Sequence, residues 1–134
     1  MEGYTVKIVL LADNQKNELL VNFCTAYSQI LARHTTYSDS NLARLVSEAT
    51  GLRVIGVSTD INGRFDQFAS KVMFNEIDAV LYLRDPMMDN YATPNELLNA
   101  CDTNQIPYAT NIATAEILVL AIDRGDLDWR ELLK

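Results

Sequence analysis

The sequence has no run of basic residues, a single histidine, only two cysteines and no apolar stretch long enough to span a bilayer. Each shortage removes a class of function. Eleven Lys and Arg stand against eighteen Asp and Glu, a formal net charge of −7. Such a chain is repelled by phosphodiester backbones and anionic lipid, so nucleic acid and membrane surface are poor partners. His34, Cys24 and Cys101 are far apart, and neither cysteine sits in a Cys-x-x-Cys pair. That leaves no zinc-ligand spacing and no Cys–His nucleophile, and the expectation is two buried thiols in a reducing compartment. Met1 to Thr5 carries no basic leader and no small-residue cleavage site, and Val6 to Ala12 is too short to cross a membrane. A cytoplasmic, unanchored protein is expected. There is no P-loop and no Gly-x-Gly-x-x-Gly, and Ser38, Ser40 and Ser58 have no nearby histidine to serve as base.

What is present is an alternation of strands and helices. With 134 residues, 49% apolar and 22% charged, the composition is that of a globular chain forming one domain over 1–134. Val6–Ala12 is a nearly continuous apolar run that suits a strand buried on both faces, with Asp13 or Asn14 capping the next helix. Leu19, Leu20, Phe23, Tyr27, Ile30, Leu31 and His34 recur at three- and four-residue steps and predict one apolar stripe. His34 closes the stripe, where its ring can cover apolar surface or cap carbonyls. Further strands are expected at Thr35–Ser38, Leu52–Val57, Ala79–Leu83 and Pro107–Ala109. Helices are expected at Ser40–Thr50 (Leu42, Leu45, Val46 and Ala49 inward, Gly51 terminating) and around Phe65, Phe68, Ala69, Val72 and Met73. Others follow from Pro94 through Cys101 and over Ala113–Asp123, with a short terminal helix capped by Asp126. Five β–α units imply an α/β fold with a parallel sheet, right-handed crossovers and helices on both faces.

Several segments resemble a known family. Ile77-Asp78 through Leu83-Arg84-Asp85-Pro86, the stretch Ile106-Pro107-Tyr108-Ala109-Thr110-Asn111-Ile112-Ala113-Thr114-Ala115-Glu116, Glu48-Ala49-Thr50-Gly51-Leu52 and Cys24-Thr25-Ala26-Tyr27 are similar to methylglyoxal synthase, and the resemblance runs from about Lys7 to the C-terminus. It implies a Rossmann-like three-layer α/β/α sandwich, commonly a homohexamer. It also implies elimination of phosphate from dihydroxyacetone phosphate to leave methylglyoxal, without a cofactor.

The positions that carry that chemistry in the family hold other residues here. Asp13 stands where the family has a histidine and Asn17 where it has a phosphate-binding lysine, with Lys16 one residue short. The Thr-Gly-Thr-Thr-Gly cradle becomes Asp39-Ser40-Asn41-Leu42-Ala43, and the Ser-Gly-Pro stretch becomes Ser58-Thr59-Asp60. Arg64 falls on the catalytic carboxylate, and Ala92 and Asn95 fall on the later His and Asp. Only Asp85 keeps its carboxylate. Elimination needs a base, a polariser for the enediolate and a phosphate pocket. Asp39 as an N-cap would occupy the amides a phosphate wants and would repel a dianion. Arg64 is no base, and Asp66, two helical positions on, would point about 200° away.

Strand ends are where ligands sit in open parallel sheets. Asp13, Asp39, Asp60 and Asp85 follow the first four, an acidic rim suited to a hard cation or an amine, or simply a set of helix caps, with Arg64 and Arg84 able to neutralise it. The candidate site is therefore Asp85 as catalytic group with Asp13, Lys16, Asp39, Asn41, Thr59, Arg64 and Asn95 as ligand contacts. The expected function is a non-catalytic binder of a small ligand (cation, amine or polar metabolite) or a homo-oligomeric assembly domain. The alternative is a synthase with residual or altered activity. The loop Arg84–Tyr91, with Met87 and Met88, suits an adaptable contact or local packing.

Overall fold

The computed structural model describes residues 3–58 and 63–134. Five strands form one all-parallel sheet in the order β3-β2-β1-β4-β5: β1 Lys7–Ala12, β2 Thr35–Asp39, β3 Val54–Val57, β4 Ala79–Leu83 and β5 Tyr108–Ala109. The two central strands are the most apolar in sequence. β4 is buried along its whole length, and β1 at every residue but Lys7. The edge strands are the shortest, and Leu52, Arg53 and Pro107 lie just outside them.

Helices are α1 Asn17–Ala26, α2 Ser28–Leu31, α3 Ser40–Thr50, α4 Arg64–Met73, α5 Glu96–Thr103 and α6 Ile112–Asp123. α1 packs on α3 and α2 on α6, while α4 packs on α5. With right-handed crossovers this order places α4 and α5 on one face of the sheet and the others on the opposite face. The result is the expected three-layer α/β/α sandwich. α3 matches its expected bounds because both ends are encoded. Asp39 accepts from Leu42 N at 2.9 Å, and Gly51 ends the helix at φ 77°. Its buried face is Leu42, Ala43 and Val46; Leu45 and Ala49 are exposed, not inward. Met73 at the end of α4 is likewise exposed.

Three local expectations are corrected by tertiary contacts. The first helix is not continuous to His34. A 3-10 turn, Asn14–Lys16, precedes α1, and the chain breaks at Tyr27. There the ring stacks on Phe23 at 4.9 Å and the hydroxyl donates to Glu116 Oε2 at 3.1 Å. Pro94 precedes α5 rather than starting it; Asn95 is the cap, accepting from Leu98 N at 3.1 Å. Asp126 caps nothing: its carboxylate pairs with Arg124 at 2.8 Å, and the terminal segment Asp128–Leu133 is a 3-10 helix. That segment is anchored by Arg130, only 1% exposed, whose Nε donates to the fully buried Asp78 at 2.9 Å. Asp78 also accepts from Tyr4 Oη and Lys7 N.

His34 Nδ1 accepts from Val6 N at 3.0 Å, closing an otherwise open strand donor. Burial first, and the neighbouring Arg33, lower its pKa, consistent with a neutral acceptor. Cys24 and Cys101 are buried free thiols that burial pushes up to about 12, too high for nucleophilic use.

Candidate active site at the carboxyl edge of the sheet

The chain crosses toward β3 after β1 and toward β5 after β4, so a crevice opens between the carboxyl ends of these two central strands, where doubly wound sheets bind ligands. Asp13, directly after β1, is the keystone. Its N–H donates to Leu83 O at 2.9 Å. Its buried carboxylate accepts from Tyr82 Oη at 2.6 Å and from Asp85 N at 2.7 Å. It does not cap the following 3-10 turn, contrary to the local pattern. Burial, and then the hydrogen bond to Asp13, push Tyr82 up to about 12, so the phenol remains a donor.

Arg64 opens α4 and reaches across the crevice. Its guanidinium lies 3.1 Å from Asp39 Oδ2 and 3.9 Å from Asp13 Oδ1, and 4.7 Å above the Phe65 ring. Asp39 thus holds the α3 N-terminus with one oxygen and Arg64 with the other. Two of the rim carboxylates are therefore spent on one arginine. Among the described residues no group of three or more His, Cys, Asp or Glu side chains is placed to hold a metal ion.

A cavity of ≈ 330 Å³ lies beside this network, and Asp13, Arg64, Asp66, Tyr82, Arg84 and Asn95 are on its wall. The position of Asp66 corrects the azimuthal argument made from sequence. The cavity abuts the first turn of α4, and around a helix end residues of different azimuth reach the same space. Its carboxylate has no hydrogen-bond or ion-pair partner among the described residues, whereas Arg64 beside it is paired. Arg84 lies over Tyr91, 4.3 Å from the ring centroid, and donates to Tyr91 O at 2.7 Å.

The other expected contacts are dispersed. Asp85 lies on the rim but not on the cavity wall, and its Oδ1 accepts from Met87 N at 2.9 Å, shaping the loop. Asn41 is exposed on α3 and takes a bond from Arg44 at 3.0 Å. Lys16 lines a neighbouring cavity. Thr59 and Asp60 lie outside the described residues. Asn95 joins the cavity while capping α5. Sequence reading passed over Tyr82, whose only signal was a polar tip at the penultimate position of a buried strand, and set aside Asp66.

Fold and crevice together define a class: a doubly wound parallel α/β protein that places charged side chains at the β1–β4 switch point. No protein-family model matches the chain. Curated relatives do. Methylglyoxal synthase of Caldicellulosiruptor saccharolyticus is 46% identical over 130 residues, covering 96% of this chain and 92% of its own. That of Alkaliphilus metalliredigens is 40% identical over 134 residues, covering 96% and 98%. The crystal structure of methylglyoxal synthase from Elizabethkingia anophelis superposes with a TM-score of 0.77 at 25% identity, covering 86% of this chain and 77% of that one. This chain belongs to the methylglyoxal synthase family.

Proposed function

We propose that the protein is a carbon–oxygen lyase of the methylglyoxal synthase type, eliminating phosphate from dihydroxyacetone phosphate with a rearranged set of side chains. The observation that carries this is the meeting of Asp66 and Arg64 on one cavity at the switch point. Relatives 46% identical over 96% of the chain favour it over a non-catalytic reading. Asp66 is the base, removing the proton on the carbon beside the carbonyl. The bonding pair moves into the carbonyl, and the resulting enediolate oxygen is stabilised by the Arg64 guanidinium, which is always charged. Arg84 and the Asn95 carboxamide receive the phosphate. The enediol hydroxyl gives its proton to the departing phosphate and becomes the aldehyde C=O, while the C=C pair shifts toward the phosphate-bearing carbon and expels phosphate with the electrons of its C–O bond. The proton held by Asp66 returns to the enolate oxygen to give the enol of methylglyoxal. Asp85, its carboxylate turned to Met87 N, positions the rim.

Phosphate release from dihydroxyacetone phosphate, measured beside an active synthase, tests this. Turnover above background is expected, and Asp66→Asn lowers it by about 10²–10⁴-fold, the usual contribution of a general base. Absence of turnover at high enzyme concentration rejects the lyase reading.

A second reading, a non-catalytic binder of a small polar metabolite, cation or amine, is favoured by one observation. Asp39 takes the Leu42 amide at the α3 N-terminus, where a phosphate would be cradled, and is itself neutralised by Arg64. Both readings carry the further expectations of a homo-oligomer, the hexamer of the family, and a cytoplasmic location. Exposed Phe74, Met73, Trp129, Leu132 and Leu133 support the first of these as apolar surface available to another subunit. Light scattering reads the oligomer size. Among the described residues no helix is long and apolar enough to cross a membrane.

A further inference from the structure

A second cavity, of ≈ 310 Å³, lies at the carboxyl ends of β4 and β5 and shares Arg84 and Tyr91 with the first. Lys16, Thr110 and Asn111 supply its other polar groups, and Leu19, Leu83 and Ile112 an apolar wall. Among the described residues no carboxylate lines it, in a chain whose formal net charge is −7. Among the described residues neither Lys16 nor Arg84 is ion-paired, although most of the chain's other cations are. Arg84 spends one terminal nitrogen on Tyr91 O, and its Nε is buried without an acceptor. The start of α6 faces this end of the sheet. Asn111 caps it through Thr114 N at 3.0 Å, and helix geometry leaves the amides of Ile112 and Ala113 without intrahelical acceptors.

Two cations unpaired among the described residues, gathered with a helix N-terminus on one cavity, call for an anion. The apolar wall calls for a ligand body that is not polar, and the volume lies at the small end of ligand pockets. We propose that this cavity binds a small organic carboxylate, the carboxylate held between Lys16 and Arg84 and a compact apolar body against Leu19, Leu83 and Ile112. A phosphate dianion satisfies the cations but leaves that wall unfilled. The proposal shares Arg84 with the lyase reading but uses neither Asp66, Arg64 nor Asn95, and Lys16 belongs to this cavity alone.

The test is calorimetric titration of the full chain with benzoate, with neutral benzyl alcohol and with inorganic phosphate, at fixed ionic strength. Benzoate is expected to saturate at one per chain, phosphate to bind more weakly and benzyl alcohol not to saturate. Lys16→Met should weaken benzoate about tenfold or more, the scale of a lost charge-assisted contact. Ile112→Asp, which brings a carboxylate to the apolar wall, should abolish binding, with circular dichroism reporting that both variants are folded. Asp66→Asn should leave benzoate affinity unchanged while removing any turnover, so the two proposals fail separately. The inference is overturned by unsaturable benzoate, by equal binding of benzyl alcohol, or by phosphate that binds more tightly than benzoate and is weakened by Lys16→Met, which places phosphate in this cavity. It is also overturned by a Lys16→Met or Ile112→Asp variant with wild-type affinity, or by a change on Asp66→Asn that places benzoate in the first cavity.

Discussion

Replacing Asp13 by alanine should destabilise the fold while leaving its topology intact, and the size of the effect follows from its three partners. The substitution strips the acceptor from Tyr82 Oη, whose residue is 4% exposed, and from Asp85 N at the rim. It removes the more distant of two carboxylates from Arg64, which keeps Asp39 at 3.1 Å. A buried donor left without an acceptor costs about 1–3 kcal/mol. The Asp85 amide is partly buried and can recruit water, so it contributes the lower end of that range. The sum is about 2–4 kcal/mol, or roughly 6–16 °C in Tm at this chain length. Thermal unfolding followed by far-UV circular dichroism reads the total. A double-mutant cycle with Tyr82→Phe isolates the hydroxyl–carboxylate bond, and the coupling should be about 1–2 kcal/mol. A loss below about 0.5 kcal/mol, the scale of an ordinary surface change, would refute the claim that Asp13 is the keystone of the crevice. So would strict additivity with Tyr82→Phe.

Other perturbations probe separate parts of the molecule. Arg130→Met takes the guanidinium from the fully buried Asp78, which keeps Lys134 Nζ at 3.1 Å, the Tyr4 hydroxyl and the Lys7 amide, and should cost about 1.5–3 kcal/mol by chemical denaturation, the scale of one hydrogen bond to a charged group. His34 has a folded pKa below its unfolded value, so the unfolded chain binds the proton first. Stability is complete above about pH 6.5, the unfolded value, and falls as pH drops toward the folded pKa. Denaturation midpoints measured against pH should show this inflection, and His34→Gln should remove it. Gly51→Ala places a side chain at φ 77°, where nothing crowds it sterically, so only the backbone term remains; about 1 kcal/mol of destabilisation is expected in thermal unfolding.

The parts of the fold legible in sequence were those whose signals are local. Ala79–Leu83 read correctly because every residue is apolar and buried. Ser40–Thr50 read correctly because Asp39 and Gly51 mark its two ends within a few residues. The misreadings share one cause, a local rule overruled by a distant partner. Asp13 looked like a helix cap, but Tyr82 and Asp85, 69 and 72 positions away, take its oxygens. Tyr27 keeps its place in the apolar stripe beside Phe23, but α1 ends there and its hydroxyl reaches Glu116, 89 positions on. Arg130 carried no local sign of burial, because its partner Asp78 is 52 residues upstream. Asp66 was set aside by helical azimuth, a rule that holds within a helix and fails where a cavity meets its end.

Arg64 also shows why the site cannot be read one position at a time. Asp13, Asp39 and Arg64 come from the residue after β1, the end of β2 and the start of α4, and form a linked set in which the cation answers both carboxylates. Taking Asp39 to alanine would free the Leu42 amide at the α3 N-terminus for an anion. It would also leave Arg64 with only Asp13 at 3.9 Å and so release the guanidinium from its place on the cavity wall. Taking Arg64 to aspartate would put a third carboxylate beside two that are already buried, and raise the pKa of the group rather than supply a charged base. Each residue is compatible with its place because of the other two. The chemistry of the crevice is therefore a property of this charge set together with Asp66, which lines the same cavity and has no partner within the set.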